Sequence, residues 1–454
     1  MPGRWSGNPS KTTTRPPQLS QWWKQLHDPV LNSLVEEAVQ GNLDVATAKA
    51  KIREARATYR EEKGALLPSV EGTATATRNR SAASDGTPAT VYNEYEPGFD
   101  ASWELDLFGG NKRSAEAALY AAQAADEDLR DTLVTLVGDV TTYYVEVREY
   151  QALRDLAKRT AVSQRKTALL TGEQYKVGTA TAVDAAKADG EASSTEADIP
   201  TYQTSYAQAM HKLAILMGKP PGALEERLKV TSPIPQPPRK MATGIPADIL
   251  ASRPDVRMAE RQLAQYTAKI GVAEANRYPS LSLTGNISST AYDVADLGRK
   301  STIGWSFGPS LTVPLFKGGQ LKAAVDVAKA ERDQYYIAYQ SAVLTAMQDV
   351  EDAIVSLTQE RIKNGRLAAS AASYGKAANL SKELNKAGAS DFLDVLDAER
   401  SLYSEESSLI QSTASITTDY ISLNKALGGG WDGVIDSSKP VVVDSDTGPH
   451  IAAK

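Results

Sequence analysis

The sequence predicts a mainly α-helical, internally duplicated chain carrying four β-strands suited to a membrane β-barrel. Three observations predict it. The chain repeats itself at a nearly constant offset. Its longest helical stretches carry a 3.5-residue apolar period. Two pairs of strands alternate between an apolar and a polar face.

The repeat is read from several points. Gln348-Asp349-Val350 echoes Gly138-Asp139-Val140, 210 residues apart. "YKVGTATAVDA" from Tyr175 matches the stretch "LNKAGASDFLDVLDA" from Leu384, setting Gly178 on Gly388 and Asp184 on Asp394. Leu216-Met217-Gly218 matches Ala426-Leu427-Gly428, and "LPSVEGT" from Leu67 matches "YPSLSLT" from Tyr278. Self-similarity at a fixed period reports architecture.

Each half then reads helix, strand, strand, long helix, break, helix. The first half predicts a helix over 29–66, strands over 69–80 and 94–107, and helices over 111–173 and 182–217. The second predicts a helix over 254–277, strands over 280–291 and 301–315, and helices over 319–383 and 391–426. Pro68 and Pro279 stop the first helix of each half, because proline cannot continue the hydrogen-bond ladder. Pro254 suits a first helical position. As segments, 1–28 is extended, 29–67 helical, 68–108 strands, 109–218 helices and 219–245 Pro-rich. Then 246–278 is helical, 279–316 strands, 317–427 helices and 428–454 a tail.

Leu129, Leu133, Leu136, Val140, Tyr143, Val147 and Tyr150 step alternately by 4 and 3, the coiled-coil seam. Val343, Met347, Val350, Ile354 and Leu357 carry the same pattern. A helix of about 63 residues runs roughly 95 Å, too long for one globular core. The two shorter first-half helices together span roughly 110 Å. Stacked end to end, they can lie along the long one. The Pro-rich segment between halves then leaves the bundle near its middle.

In "YEPGFDASWELDLFGGNK", from Tyr95, the odd positions are mostly apolar and the even positions polar. "FGPSLTVPLFKGGQ", from Phe307, follows the same plan. A half-buried soluble sheet alternates in this way too. Strands of about 12–14 residues, however, cross a bilayer when tilted, and carboxylates suit a wet lumen. The parity assigns Phe99, Trp103, Leu105, Trp305, Phe307, Leu311 and Val313 to lipid. It assigns Asp100, Glu104, Asp106, Ser306 and Ser310 to the lumen. Alternating segments between turn-rich loops are the signature of a membrane barrel. Four strands cannot close one, and open edges are forbidden in lipid, so several chains must pool them.

Composition excludes other classes. Net charge is −6, leaving no basic footprint for nucleic acid. Cysteine is absent, so there is no disulfide framework or Cys-bearing metal site. His27, His211 and His450 are scattered and lack metal-site spacing. Gly218-Lys219 lacks the glycine and Ser/Thr of a phosphate-binding loop. No enzyme, cofactor or metal is expected, and paired carboxylates such as Glu405-Glu406 read as solvated helix faces. No apolar stretch is long enough for a transmembrane helix. The start, Met1-Pro2-Gly3, shows no signal peptide, which fits either a cytoplasmic protein or a chain whose export signal has been removed.

Five stretches carry a family resemblance: "QWWKQLHDPVLNSLVEEAV" from Gln21, "WELDLFGG" from Trp103, "LAILMGKPPGALE" from Leu213, "GIPADILASRPDVRMAERQLAQYTAKIGVAEANRYPSLSLTGN" from Gly244, and "FLDVLDAERSLY" from Phe392. In these the chain resembles the TolC-like outer-membrane factors, in the NodT-type lipoprotein branch. The resemblance implies a homotrimer in the outer membrane of a Gram-negative bacterium. Three chains would form a twelve-strand barrel and a twelve-helix periplasmic tunnel. It implies a passive efflux conduit for drugs, metal ions or other small molecules, working with a periplasmic adaptor (membrane fusion) protein and an inner-membrane pump of RND type. That branch usually starts its mature chain with a lipidated Cys. With no Cys here, either the anchor was trimmed or this member lacks one. The alternative reading is a soluble long-helix scaffold without a pore.

The resemblance also implies two sites. The breaks at Val177, Gly178 and Thr179 and at Gly388, Ala389 and Ser390 would form the adaptor-docking tip; turn chemistry alone is the plainer reading. Leu393, Asp394 and Asp397 would line the closed periplasmic gate, where threefold symmetry gives six carboxylates. The plainer reading there is a solvated helix start, where Asp is favoured by the helix dipole. Lys187 replaces the second aspartate in the first half, and the Arg found near this turn in some members is absent.

Overall fold

A computed structural model of the protein describes residues 19–82, 88–239, 250–431 and 437. The described residues within Met1–Ala50, Glu127–Arg257 and Ala342–Lys454 form one compact unit. Those within Lys51–Asp126 and Met258–Ser341 form a second.

Duplication is visible in the elements. Helix α1 is Pro29–Gly41 and α2 is Leu43–Gly64. Strands β1 (Ser69–Arg80) and β2 (Val91–Leu105) follow, then α3, Gly110–Lys176, and α4, Ala182–Leu216. A short turn of helix, α5, spans Glu225–Leu228. The second half gives α6 (Pro254–Ala275), β3 (Ser280–Ser289), β4 (Ile303–Thr312), α7 (Gln320–Lys386) and α8 (Phe392–Ala426). Helices α3 and α7 each have 67 residues, and α4 and α8 each have 35.

The helix expected over 29–66 is broken at Asn42. Its backbone is extended, at φ −69° and ψ 135°. Its Oδ1 accepts from Asp44 N and Val45 N and caps α2, while its Nδ2 donates to Leu216 O at 2.9 Å. A Cβ on Gly218 would lie 2.3 Å from Gly41 O, so only glycine permits this approach. The end of α4 therefore abuts the start of α2. The second half repeats the junction: Arg253, just before α6, donates to Ala426 O at 2.7 Å. At the first joint, the ends of the two shorter first-half helices meet as expected.

The segment expected to be extended over 1–28 is also corrected where it is described. Trp22–Leu26 forms a 3-10 turn. Trp22 is fully buried and stands edge-on to Tyr420 at 5.8 Å between ring centroids. The aromatic pair pulls the chain inward, where an extended backbone would leave two tryptophans in water. Residues 1–18, residues 240–249 and most of the tail lie outside the described residues.

In the first unit, α3 buries Leu133, Leu136, Val137, Val140, Tyr144 and Val147. Tyr143 and Tyr150 of the expected seam are only half-buried, so the buried face is wider than an a/d stripe. The extra width holds a polar cluster. Arg148 is 2% exposed; it donates to Tyr144 Oη, Gln151 Oε1 and Val230 O, and Tyr144 donates to Asp28 Oδ2 at 2.6 Å. A buried guanidinium is tolerable only when its donors are satisfied, and this one ties α3 to the segments before α1 and after α5.

In the second unit the strands form one antiparallel sheet in the order β1-β2-β3-β4. Among the described residues, the outer edges of β1 and β4 pair with no further strand. Among the described residues no helix is long and apolar enough to cross a membrane.

Candidate functional site

The sheet sorts its side chains by register. Phe99 lies opposite Ile287, which lies opposite Trp305. Leu105, Leu281 and Leu311 form a second apolar row, and Trp103, Leu283 and Pro309 a third. Residues directly opposed in an antiparallel pair share a face, so one face is apolar. Trp305 is 76% exposed, Phe307 71% and Leu311 64%. A contiguous exposed apolar surface of this kind marks a contact with lipid or protein.

The other face is polar. Glu71, Asp100, Asn286 and Ser306 form one row, and Glu104, Ser282 and Ser310 another. Thr73 Oγ1 donates to Asp100 Oδ2 at 3.1 Å. Ser306 donates its hydroxyl and its backbone N–H to Asn286 Oδ1.

Three expected positions differ in detail. Asp106 lies one residue beyond β2, and its carboxylate accepts from Asn111 N at 3.1 Å and Lys112 N at 2.8 Å. It caps α3 instead of continuing the polar strand face, because the free amides of a helix start favour an acceptor there. Val313 lies one residue beyond β4. Trp103 is half-buried, with Nε1 donating to Leu66 O at 3.0 Å. It therefore presents less open surface than Trp305.

The two breaks between helices lie in the first unit. Gly178 has φ +82° and Gly388 φ +71°. Thr179 N donates to Gln174 O and Gly178 N to Tyr175 O; Ala389 N donates to Leu384 O and Gly388 N to Asn385 O. This is the Schellman pattern that ends a helix through a left-handed glycine. A Cβ on either glycine would meet no atom within 4 Å, so the turns stand open. Val177 is 74% exposed.

Beyond the turns the halves diverge. Thr181 caps α4, with Asp184 N donating to Thr181 Oγ1 at 3.2 Å and Thr181 N donating to Asp184 Oδ2 at 3.0 Å. The Thr181 hydroxyl and amide hold the Asp184 carboxyl below its usual range. In α8 the capping position is Asp391, whose side chain makes no cap bond. Asp394 instead accepts from Ser390 Oγ at 2.7 Å. Leu393, Asp394 and Asp397 are all exposed. Asp397 has only a 3.9 Å approach from Arg400.

Sequence reasoning missed the support behind this turn. Glu399 is 6% exposed and pairs with Lys382 at 2.6 Å, tying α8 to α7. The signal was the Glu in "DAER", three residues inside the same motif. Further along α3, burial and the neighbouring Glu146 push the Glu149 carboxyl up to about 7. Burial also raises Glu146, against a smaller opposing effect of Lys212. A cleft of about 460 Å³ in the first unit is lined by Asp131, Asp349, Asp352, Asp419, Arg253 and Lys425. Its two cations are already engaged, by Asp349 and Asp139 respectively. Among the described residues, no three His, Cys, Asp or Glu side chains gather in a metal-binding group.

A duplicated helix frame with two matched open turns and a sheet of one apolar and one polar face define a membrane channel protomer. The family model for outer membrane efflux proteins matches residues 34–219 and again 245–429. The chain belongs to the outer membrane efflux protein family. It is 34% identical over 419 residues to nodulation protein T of Rhizobium leguminosarum bv. trifolii, covering 91% of this chain and 88% of that protein. It is 30% identical over 429 residues to the solvent efflux pump outer membrane protein SrpC of Pseudomonas putida, covering 94% and 90%. Its fold matches a solved structure of the outer-membrane channel OprN with a TM-score of 0.89 and 31% identity, over 94% of this chain and 96% of that one. An efflux-channel role in the outer membrane follows from this kinship, and the family is one of channels, not enzymes.

Proposed function

We propose that three copies of this chain pool their sheets into a twelve-strand barrel and their long helices into a twelve-helix periplasmic tunnel. The assembly is the passive outer-membrane conduit of a tripartite efflux system, completed by a periplasmic adaptor protein and an inner-membrane pump of RND type. One observation carries this reading. The sheet has one apolar and one polar face and, among the described residues, two unpaired edges, a combination that closes only by sharing strands. Phe99, Trp305, Phe307 and Leu311 face lipid, and Asp100, Glu104, Ser306 and Ser310 face water. The open turns at Gly178 and Gly388 meet the adaptor. Leu393, Asp394 and Asp397 form a cation-selective constriction. SrpC is named for solvent efflux, which supports small organic molecules as cargo here.

The test is mass measurement of detergent-purified protein. A trimer is expected. A monodisperse monomer, or a protein that stays monodisperse in plain buffer, contradicts the proposal and favours a soluble scaffold.

A further inference from the structure

On β1 the apolar face of the sheet ends in two arginines, charges of one sign. The register sets Val70 opposite Ala101 and Gly72 opposite Phe99, which places the even positions of β1 on that face. Continuing by two, Ala74 and Ala76 follow, then Arg78 opposite Asn93 and Arg80 opposite Val91. Both arginines are exposed. Their directly opposed residues are uncharged, and the glutamates nearest in β2, Glu94 and Glu96, have the parity of the other face. Among the described residues no carboxylate pairs with either guanidinium. They stand about 7 Å apart along the strand.

Their height is informative. From Val70 to Arg80 the strand rises about 33 Å, which at the usual barrel tilt is about 25 Å of depth, the height of an outer-membrane apolar band. The arginines lie at the hairpin end of β1, the end remote from α2. With the helices in the periplasm, that end meets the outer leaflet. A guanidinium binds phosphate through a planar fork of donors, and here two of them crown an apolar wall with no counter-ion among the described residues.

We propose that Arg78 and Arg80 form a binding site for the phosphate groups of the outer-leaflet glycolipid, whose acyl chains lie against the apolar face below. The proposal rests on the channel reading, because only a sheet inserted in the bilayer brings these residues to the headgroups. The site sets the depth of the barrel and adds specific lipid to the purified protein.

The test uses the full chain, reconstituted in phosphatidylcholine vesicles with and without diphosphorylated lipid A. Insertion and channel conductance are measured first. Lipid A retention is then followed by native mass spectrometry after detergent extraction. The Arg78→Ala/Arg80→Ala variant is expected to retain lipid A about twenty-fivefold more weakly, two contributions of about fivefold each. Lys63→Ala, an exposed lysine at the far end of α2, is expected to change nothing, and inorganic phosphate is expected not to compete. Equal retention by parent and double variant, in protein that inserts and conducts, overturns the lipid site and leaves the channel reading standing. Equal loss in Lys63→Ala, or full displacement by inorganic phosphate, also overturns it. Failure to insert at all overturns the channel reading, and the lipid site with it.

Discussion

The two turns between long and short helices have the same backbone and different chemistry. Gly178 and Gly388 adopt the same left-handed conformation within the same hydrogen-bond pattern. Yet Thr181 and Asp184 close a reciprocal capping box on α4, whereas α8 starts from Asp391 with no side-chain cap. Lys187 in the first half corresponds to Asp397 in the second. Duplication thus preserved the fold of the turn and released its residues to specialise. The first turn spends its aspartate on its own helix. The second leaves Leu393, Asp394 and Asp397 on the surface, behind an anchor of Glu399 and Lys382.

The largest expected effect is shared by both turns. Gly178→Val and Gly388→Val force a side chain into a left-handed backbone, which costs about 1–3 kcal/mol locally, and place a branched group on an open surface. Each is expected to abolish efflux, read as drug accumulation in cells, while the trimer stays intact. Normal efflux in either variant would put the adaptor contact elsewhere.

The sheet provides the next effect, and a control lying outside both turns. Phe307→Arg is expected to cost about 2–4 kcal/mol at a mid-membrane lipid-facing site, while Ser306→Arg is expected to be tolerated. Unfolding in a denaturant series measures both, and equal costs would remove the facing argument.

A further difference between halves is titratable. Glu149 corresponds to Gln359, which is exposed. Burial, with the neighbouring Glu146, pushes the folded carboxyl of Glu149 up to about 7, above the usual glutamate value of 4.5. The folded state therefore binds the extra proton between these values, so stability falls as pH rises from about 4.5 to 7 and the penalty is complete above 7. Glu149→Gln is expected to raise stability by about 1–3 kcal/mol at pH 8 and to change little below pH 4.5. Thermal unfolding at the two pH values decides it; a pH-independent gain would assign the effect to packing.

The smallest effect concerns the caps. Thr181→Ala is expected to cost about 1 kcal/mol, and Asp391→Ala less, since no cap bond is lost. Equal costs would erase the asymmetry between α4 and α8.

Most of the frame was legible in the sequence because periodic signals carry it. The constant offset, the 3.5-residue period and the strand alternation located the elements within a few residues. What escaped had no period. Gly41-Asn42 sits inside a stretch of helical composition, and its break shows only through the contact with Leu216. Asp106 fitted the strand parity, but its oxygens serve the amides of α3. The Asp28–Tyr144–Arg148 cluster joins residues 116 positions apart, which no local pattern records. The open turns were visible as Gly-centred breaks. Their unequal caps were not, because Thr and Asp are both good capping residues and only the geometry shows which one caps.

Single-channel recording in planar bilayers tests the central claim, that the second turn forms the constriction and the first does not. The Asp394→Ala/Asp397→Ala variant should lose cation preference and block by multivalent cations, and Leu393→Ala should raise conductance. Asp184→Ala, the matched change in the first half, should leave selectivity as in the parent. Unchanged selectivity and conductance in the second-half variants, or an equal loss of selectivity in Asp184→Ala, would contradict the account.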